Sequence, residues 1–297
     1  MEKLRTISIN PNNKVVLRDT EVFNYRLGLG FYSPNFLEKY KNRLEGTGTT
    51  RVVWLERETG EVMRILRKHP MVLIRGELGI GKGAIIYGLR SWHRDIRKSY
   101  CYIDGHHIPS PKQINSSLRW AQINKATIFW DSWDYLIVKP RRKRKIGYEK
   151  HVRRTEEILN ILYSYLDNNR GRIRFVATCH DDGWLERYKD DYLFNKLQSL
   201  INDFVFFVYR VKGILCQTEF EQFLKHAGFR DDIIESLWRL GENFPQLRTY
   251  RTVKLLALSD KYGAPKIRKR LNQGLIPKRE LEIFISITEQ QRRKVYE

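Results

Sequence analysis

Short apolar runs alternate along this chain with longer stretches whose apolar residues recur every three or four positions. The first pattern predicts buried strands and the second predicts helices. Met71 to Ile74 reads as a first core strand, and Pro70 separates it from an amphipathic helix over Arg51 to Lys68 that carries Val53, Val62, Ile65 and Leu66. Tyr100 to Asp104, Ala126 to Asp131, Ile173 to Thr178 and Asp203 to Tyr209 supply four more strands. Between the third and fourth, Ile158, Leu159, Ile161, Leu162, Tyr165 and Leu166 fall at helical spacing. Thr155 is the expected N-cap there, and Asn168 to Gly171 the expected stop. Apolar strands separated by helices predict a parallel five-stranded sheet sandwiched by helices. The strand signal fades after Tyr209. Thr218 to His226, Asp231 to Leu240 and Leu247 to Tyr262 read as helices, and a last helix starts at Lys278. These patterns divide the chain into an N-terminal extension (1–50), an α/β domain (51–210), a helical lid (211–262) and a basic helix and tail (263–297). The extension holds strand-like pieces at Thr6 to Ile9 and Lys14 to Leu17, and an aromatic, glycine-containing stretch from Tyr25 to Tyr32.

The first core strand runs into Arg75-Gly-Glu-Leu-Gly-Ile-Gly-Lys-Gly83, which opens a helix expected from Ala84 to about Trp92. Gly76, Gly81 and Lys82 match G-x-x-x-x-G-K, the phosphate-loop pattern. Glycines at 76, 79, 81 and 83 let backbone N–H groups wrap a polyphosphate, and the helix start at Ala84 adds a partial positive charge. Lys82 is placed to reach the terminal phosphates. The pattern ordinarily closes with Ser or Thr, whose hydroxyl binds Mg²⁺, but here that residue is Gly83. Asp131, at the carboxyl end of the third strand, stands where a Mg²⁺-coordinating carboxylate belongs. The alternative is that Asp131 merely starts a turn.

Charge changes the picture most. Lys and Arg total 55 against 34 acidic residues, a formal +21 in 297 residues. Such an excess points to a polyanion, DNA or RNA. Ion-pair enrichment of the thermophile kind would raise Glu along with Lys. No signal sequence or apolar run near 18 residues is present, so no membrane association is expected. Cys101, Cys179 and Cys216 show no metal spacing and suit a reducing cytoplasm as buried small residues. His106 and His107 read as loop, and Trp130 and Trp133 as core or subunit-contact residues.

The motifs resemble those of the AAA+ ATPases, and within them the origin-recognition initiators and their relatives. The family's Asp-Glu-apolar-Asp-x-Leu is matched by Asp131-Ser-Trp-Asp134-Tyr-Leu136. A sensor Asn after the fourth strand corresponds to His180. An arginine finger for a neighbouring subunit corresponds to Lys196 in Lys196-Leu-Gln-Ser199, and a Gly-Asn-Pro-like turn before a second sensor arginine to Gly241 to Leu247, with Arg248 and Arg251 downstream. The resemblance implies ATP or ADP with Mg²⁺, subunit contacts in a homo- or hetero-oligomer, and catalytic positions at Asp131, Asp134, His180 and Lys196. It also implies a role in DNA replication initiation, helicase loading or transposition, in the style of an archaeal virus or plasmid protein. Four positions depart together. Gly83 lacks the hydroxyl, Ser132 replaces the water-polarising Glu, His180 replaces Asn, and Lys196 is a point charge without the guanidinium fork. Slow or absent hydrolysis is the expectation. The alternatives are an active DNA-stimulated ATPase using Asp134 and His180, and an inactive structural subunit of a nucleoprotein complex.

Lys139-Pro-Arg141-Arg142-Lys143-Arg144-Lys145, extended by Lys150, Arg153 and Arg154, is the densest basic run. It is expected to contact phosphates without reading sequence. A localisation signal or a merely solvated face gives the same pattern.

Overall fold

In the computed structural model, the five apolar runs lie side by side as parallel strands. The structure describes residues 15–18, 21–24, 29–33, 55–77, 79–137, 145–181, 191–257 and 265–286. The strands are β1 (Val15–Arg18), β2 (Glu21–Asn24), β3 (Leu29–Tyr32), β4 (Met71–Arg75), β5 (Tyr100–Asp104), β6 (Thr127–Asp131), β7 (Arg174–Cys179) and β8 (Phe207–Arg210). They form one sheet in the order β1-β2-β3-β5-β6-β7-β4-β8. The last five in that order pair in parallel, and the first three join them antiparallel through β3 and β5. Part of the stretch expected as an extension is therefore sheet. Phe31 and Tyr32 pair with Cys101 and Tyr100, and Tyr32 stacks on Tyr100 at 5.2 Å.

Alternation along the strands sends successive side chains to opposite faces. Met71 and Leu73 join Ile128, Trp130, Phe175 and Ala177 in one core, under α3 (Pro111–Ile123), α4 (Lys145–Asn168) and α5 (Tyr192–Asp203). Val72 and Ile74 join Phe129 and Val176 in the other, under α1 (Glu56–Lys68) and α2 (Lys82–Asp95). Val72, Leu73 and Ile74 are all fully buried, a contribution of about 1.5–3 kcal/mol each. Trp130 and Trp133 are also fully buried, tilted against each other and Phe175, so they are core residues.

α4 starts ten residues before the expected N-cap, at Lys145. Thr155 is interior to it, and its hydroxyl donates to the Leu136 carbonyl at 3.0 Å. The helix does end at Asn168, followed by Gly171 at φ 70°. The expected fifth strand begins late, because Asp203 closes α5 and Val205 turns the chain through φ 50° before β8. α3 and α5 are additional to the expected helices, although Ile114, Leu118 and Ala121 in the first and Leu193, Leu197, Leu200 and Ile201 in the second recur at helical spacing.

Beyond β8 come α6 (Gln217–His226), α7 (Asp231–Asn243), α8 (Tyr250–Ala257), α9 (Pro265–Asn272) and a helical stretch at 278–286. They pack on the α1/α2 side through Phe220, Leu224, Leu237, Leu247 and Val253. Buried Glu58 of α1 holds the entry to this unit by accepting from the N–H groups of Gly213 (2.8 Å) and Lys212 (3.2 Å). Glu219 bridges the same two parts, accepting from the N–H groups of Arg57 and Cys216.

His93 ties α2 to the sheet. Its ring lies 2.8 Å from the Leu89 carbonyl and 2.9 Å from the Thr127 hydroxyl. Burial, partly offset by the Leu89 hydrogen bond, lowers its pKa to about 4 from 6.5. Between those values the unfolded chain binds a proton that the folded chain does not. This contribution is therefore complete above pH 6.5 and falls away as pH drops towards 4, a total on the order of 3 kcal/mol. Urea unfolding at pH 7 and pH ~4.5 is expected to show that loss, reduced by most of this amount in His93→Gln. The same pH dependence in both proteins would contradict the assignment.

Candidate functional site

The carboxyl ends of β4, β6 and β7 lie together, with β7 in the middle. The connection from β4 leaves over one face of the sheet, and those from β5, β6 and β7 leave over the other. A crevice above strand ends where connections part is the usual ligand position in open α/β sheets.

The glycine-rich loop occupies that position. Gly79 (φ 78°) and Gly81 (φ 109°) take left-handed backbone that L side chains disfavour. Close packing adds a second constraint. A Cβ on Gly81 would stand 2.7 Å from Leu55 and 3.2 Å from Tyr250, and one on Gly76 would stand 3.0 Å from Ile80. Gly81 caps α2, and Lys82 and Ala84 are buried in its first turn. The Lys82 ammonium donates to the carbonyls of Gly76 (2.7 Å) and Glu77 (2.9 Å), so the loop closes on its own lysine. Burial lowers the Lys82 pKa, opposed by the charges of Asp134, Cys179 and Asp131.

Asp131 meets the loop at Gly83. Its Oδ2 lies 3.1 Å from where a Cβ at position 83 would be, so glycine leaves room for the carboxylate there. Its Oδ1 accepts from the Thr178 hydroxyl at 2.5 Å, and Thr178 in turn accepts from the Ser132 N–H at 2.6 Å. Burial raises the Asp131 pKa, and the Thr178 hydrogen bond opposes that rise. Ser132 sits at φ 54°, and its hydroxyl lies 3.2 Å from His106 Nε2. Asp104, opposite Asp131 in the sheet register, accepts from the His106 N–H and lies 3.1 Å from the His107 ring.

Asp134 lies near enough that its charge opposes the lowering of the Lys82 pKa more than that of Asp131 does. It is fully buried, and its Oδ2 pairs with His180 Nδ1, itself only 2% exposed. Lys196 is on α5, where its ammonium lies 3.3 Å from Glu156 and 3.5 Å from the Tyr192 hydroxyl. The Tyr192 hydroxyl and then Lys196 hold Glu156 below the usual carboxylate range. The structure thus gathers Gly76, Gly79, Gly81, Lys82, Gly83, Ala84 and Asp131 at one place, with Asp134 and His180 buried beside it. Lys196 is not among them. Arg141, Arg142, Lys143 and Arg144 lie outside the described residues, and Lys145 opens α4.

The C-terminal helices reach the loop as well. The Arg251 side chain lies 3.7 Å from the Cβ position of Gly79. Arg248 instead stacks over Trp238 at 3.8 Å and donates to its carbonyl. Thr178, which had no expected role, holds Asp131, and His106, expected as loop but set in a short 3-10 helix, lies against the Ser132 hydroxyl. Thr178 carried a signal, because a polar residue at the end of an apolar strand needs a buried partner.

This chemistry suits a phosphate: backbone N–H groups at a helix start, a lysine and a nearby carboxylate. Among the described residues no group of three or more His, Cys, Asp or Glu is placed to hold a metal. A Mg²⁺ ion would rest on Asp131 alone, with phosphate and water completing its shell, an arrangement usual for that ion.

Fold and site together describe a mostly parallel α/β sandwich with a glycine-rich, lysine-bearing loop at its carboxyl edge. Among solved structures the chain is similar to the Aeropyrum pernix ORC1 protein in complex with DNA, at 13% identity and a TM-score of 0.43. The similarity covers 78% of this chain and 64% of that one. No protein-family model and no curated protein matches it.

Gly81→Ala adds a Cβ to both the left-handed backbone and the Leu55 contact, so it is expected to destabilise by about 1–3 kcal/mol. Gly79→Ala meets only the flexible Arg251 chain and is expected to cost about 1–2 kcal/mol from its backbone alone. Equal melting temperatures for Gly81→Ala and the unaltered chain would contradict the packing described.

Proposed function

We propose that this chain is a nucleotide-binding, nucleic-acid-associated protein of AAA+ type that holds ATP or ADP and hydrolyses ATP slowly or not at all. The observation that carries the nucleotide reading is the placement of Asp131 against Gly83 in the first turn of α2, one residue after the loop lysine Lys82. In this reading the N–H groups of Gly79 to Ala84 hold the phosphates. Lys82 exchanges its bonds to Gly76 and Glu77 for bonds to phosphate oxygens. Asp131 would hold a Mg²⁺ ion, which would supply charge neutralisation for the phosphates.

Slow turnover follows from what surrounds this group. Ser132 cannot serve as a base near neutral pH, and its N–H and hydroxyl are engaged by Thr178 and His106. The active-ATPase alternative gives Asp134 and His180 the work of orienting water. Both are buried and paired with each other, which supports a structural role instead. Without an oriented water and a fork-shaped cation, rates fall by large factors, on the order of 10³–10⁵ for the cation in GTPases.

The nucleic-acid half of the proposal rests on the +21 charge. Replication initiation, helicase loading and transposition are the processes that the motif resemblance suggests.

Calorimetric titration is expected to show ATP and ADP binding, weakened roughly 10- to 100-fold in Lys82→Ala by loss of charge-assisted hydrogen bonds. Phosphate release with DNA present is expected to stay well below about one per second. A rate near that value, lost in Lys82→Ala, would overturn the slow-turnover reading. Thr178→Val removes the donor that opposes the raised Asp131 pKa. Because Mg²⁺ needs the ionised carboxylate, the acid limb of Mg²⁺-dependent binding is expected to move to higher pH in that variant. An unmoved limb would remove Asp131 from the site.

A further inference from the structure

The opposite edge of the sheet, where the parallel strands begin, carries a second concentration of charge. Turns entering β4, β5, β6 and β7 from α1, α2, α3 and α4 surround a concavity of about 980 Å³. Its lining includes Arg67, Arg97, Lys98, Lys125, Arg172 and Arg174, and no Asp or Glu. All six cations are exposed except Arg174, which is half-buried. Among the described residues none of the six makes a side-chain ion pair.

Cations near helix C-termini ordinarily answer the helix dipole. Four helices end at this edge, and at about half a negative charge each they account for roughly two of the six. The backbone sharpens the point. Arg97 (φ 53°) and Lys125 (φ 49°) follow α2 and α3 in left-handed conformation, where glycine is the usual residue. Two neighbouring turns thus carry a strained cation in place of an easy glycine, and strain of this kind gathers at binding surfaces.

We infer that this edge is a binding surface for the nucleic-acid phosphate backbone, separate from the phosphate loop at the other end of the strands. This rests on the nucleic-acid half of the function proposed above. Four of the six cations are arginines, whose planar fork matches phosphate oxygens. The concavity has no aromatic residue and its apolar lining is largely buried. It therefore lacks the aromatic anchors of a protein-binding hot spot, and suits contact that is independent of sequence.

The test is Arg97→Gly/Lys98→Ser/Lys125→Gly/Arg172→Ser in the full chain, with binding of a 30-base-pair duplex of arbitrary sequence measured against salt. Four lost phosphate contacts are expected to flatten the slope of log affinity on log salt by about 3 to 4 and to weaken binding at least about 100-fold near 0.15 M salt. Both glycines relieve strain, so the melting temperature is expected to match or exceed that of the unaltered chain, and ATP binding is expected to persist. A control neutralising Lys225, Arg239, Lys254 and Lys278 on the C-terminal helices is expected to change the slope far less. An unchanged slope in the edge variant, or an equal loss in the control, overturns the inference while leaving DNA binding itself in place. Equal competition by polyglutamate of matched charge overturns the choice of nucleic acid. Failure of the unaltered chain to bind duplex sinks the nucleic-acid reading on which the inference stands.

Discussion

β7 lies between β4 and β6, and its carboxyl end joins the phosphate loop to the acidic side of the crevice. The register sets Ile74 beside Thr178 and Arg75 beside Cys179, while on the other edge Trp130 faces Ala177. One strand thereby brings Thr178 to Asp131 and, two residues later, His180 to Asp134. A one-residue slip would send Thr178 and every apolar neighbour to the wrong face. Both cores resist that slip, because Phe175 and Ala177 fill one and Val176 fills the other.

The loop is held from its far side by contacts as close as those within the sheet. A Cβ at Gly213 would fall 2.2 Å from Ile80 of the loop, and Gly81 lies against Tyr250 at the start of α8. The Tyr250 N–H also donates to the Gly213 carbonyl at 2.8 Å. The C-terminal helices and the loop therefore share a packed boundary in which small shifts on one side require shifts on the other. Buried Glu58 fastens the same boundary to α1, and burial raises its pKa despite the Gly213 and Lys212 N–H bonds.

Much of the fold was legible because continuous apolar runs buried on both faces leave a strong mark, as at Met71 to Ile74. Element ends were less so. Lys145 to Arg154 is polar enough to hide the first turns of α4, and Phe204 to Phe206 extends an apolar run that the backbone breaks at Val205. The first three strands join the sheet through pairing with β5, which no local pattern encodes. At the site, the motif spacing picked out Lys82, Gly83 and Asp131. It could not show that Asp134 turns inward to His180, that Lys196 pairs with Glu156, or that Thr178 holds Asp131, since each depends on residues distant in sequence. The basic concavity was invisible for the same reason, being assembled from four separate turns.

The central claim is that cleavage at this site is slow enough for bound ATP to leave intact. Single-turnover chase measures this directly: labelled ATP is bound to excess protein with Mg²⁺ and duplex DNA, unlabelled ATP is added, and the released label is identified. Intact ATP leaving as the main product is the result this account predicts. Release chiefly as ADP and phosphate, in an Asp131-dependent manner, would contradict it.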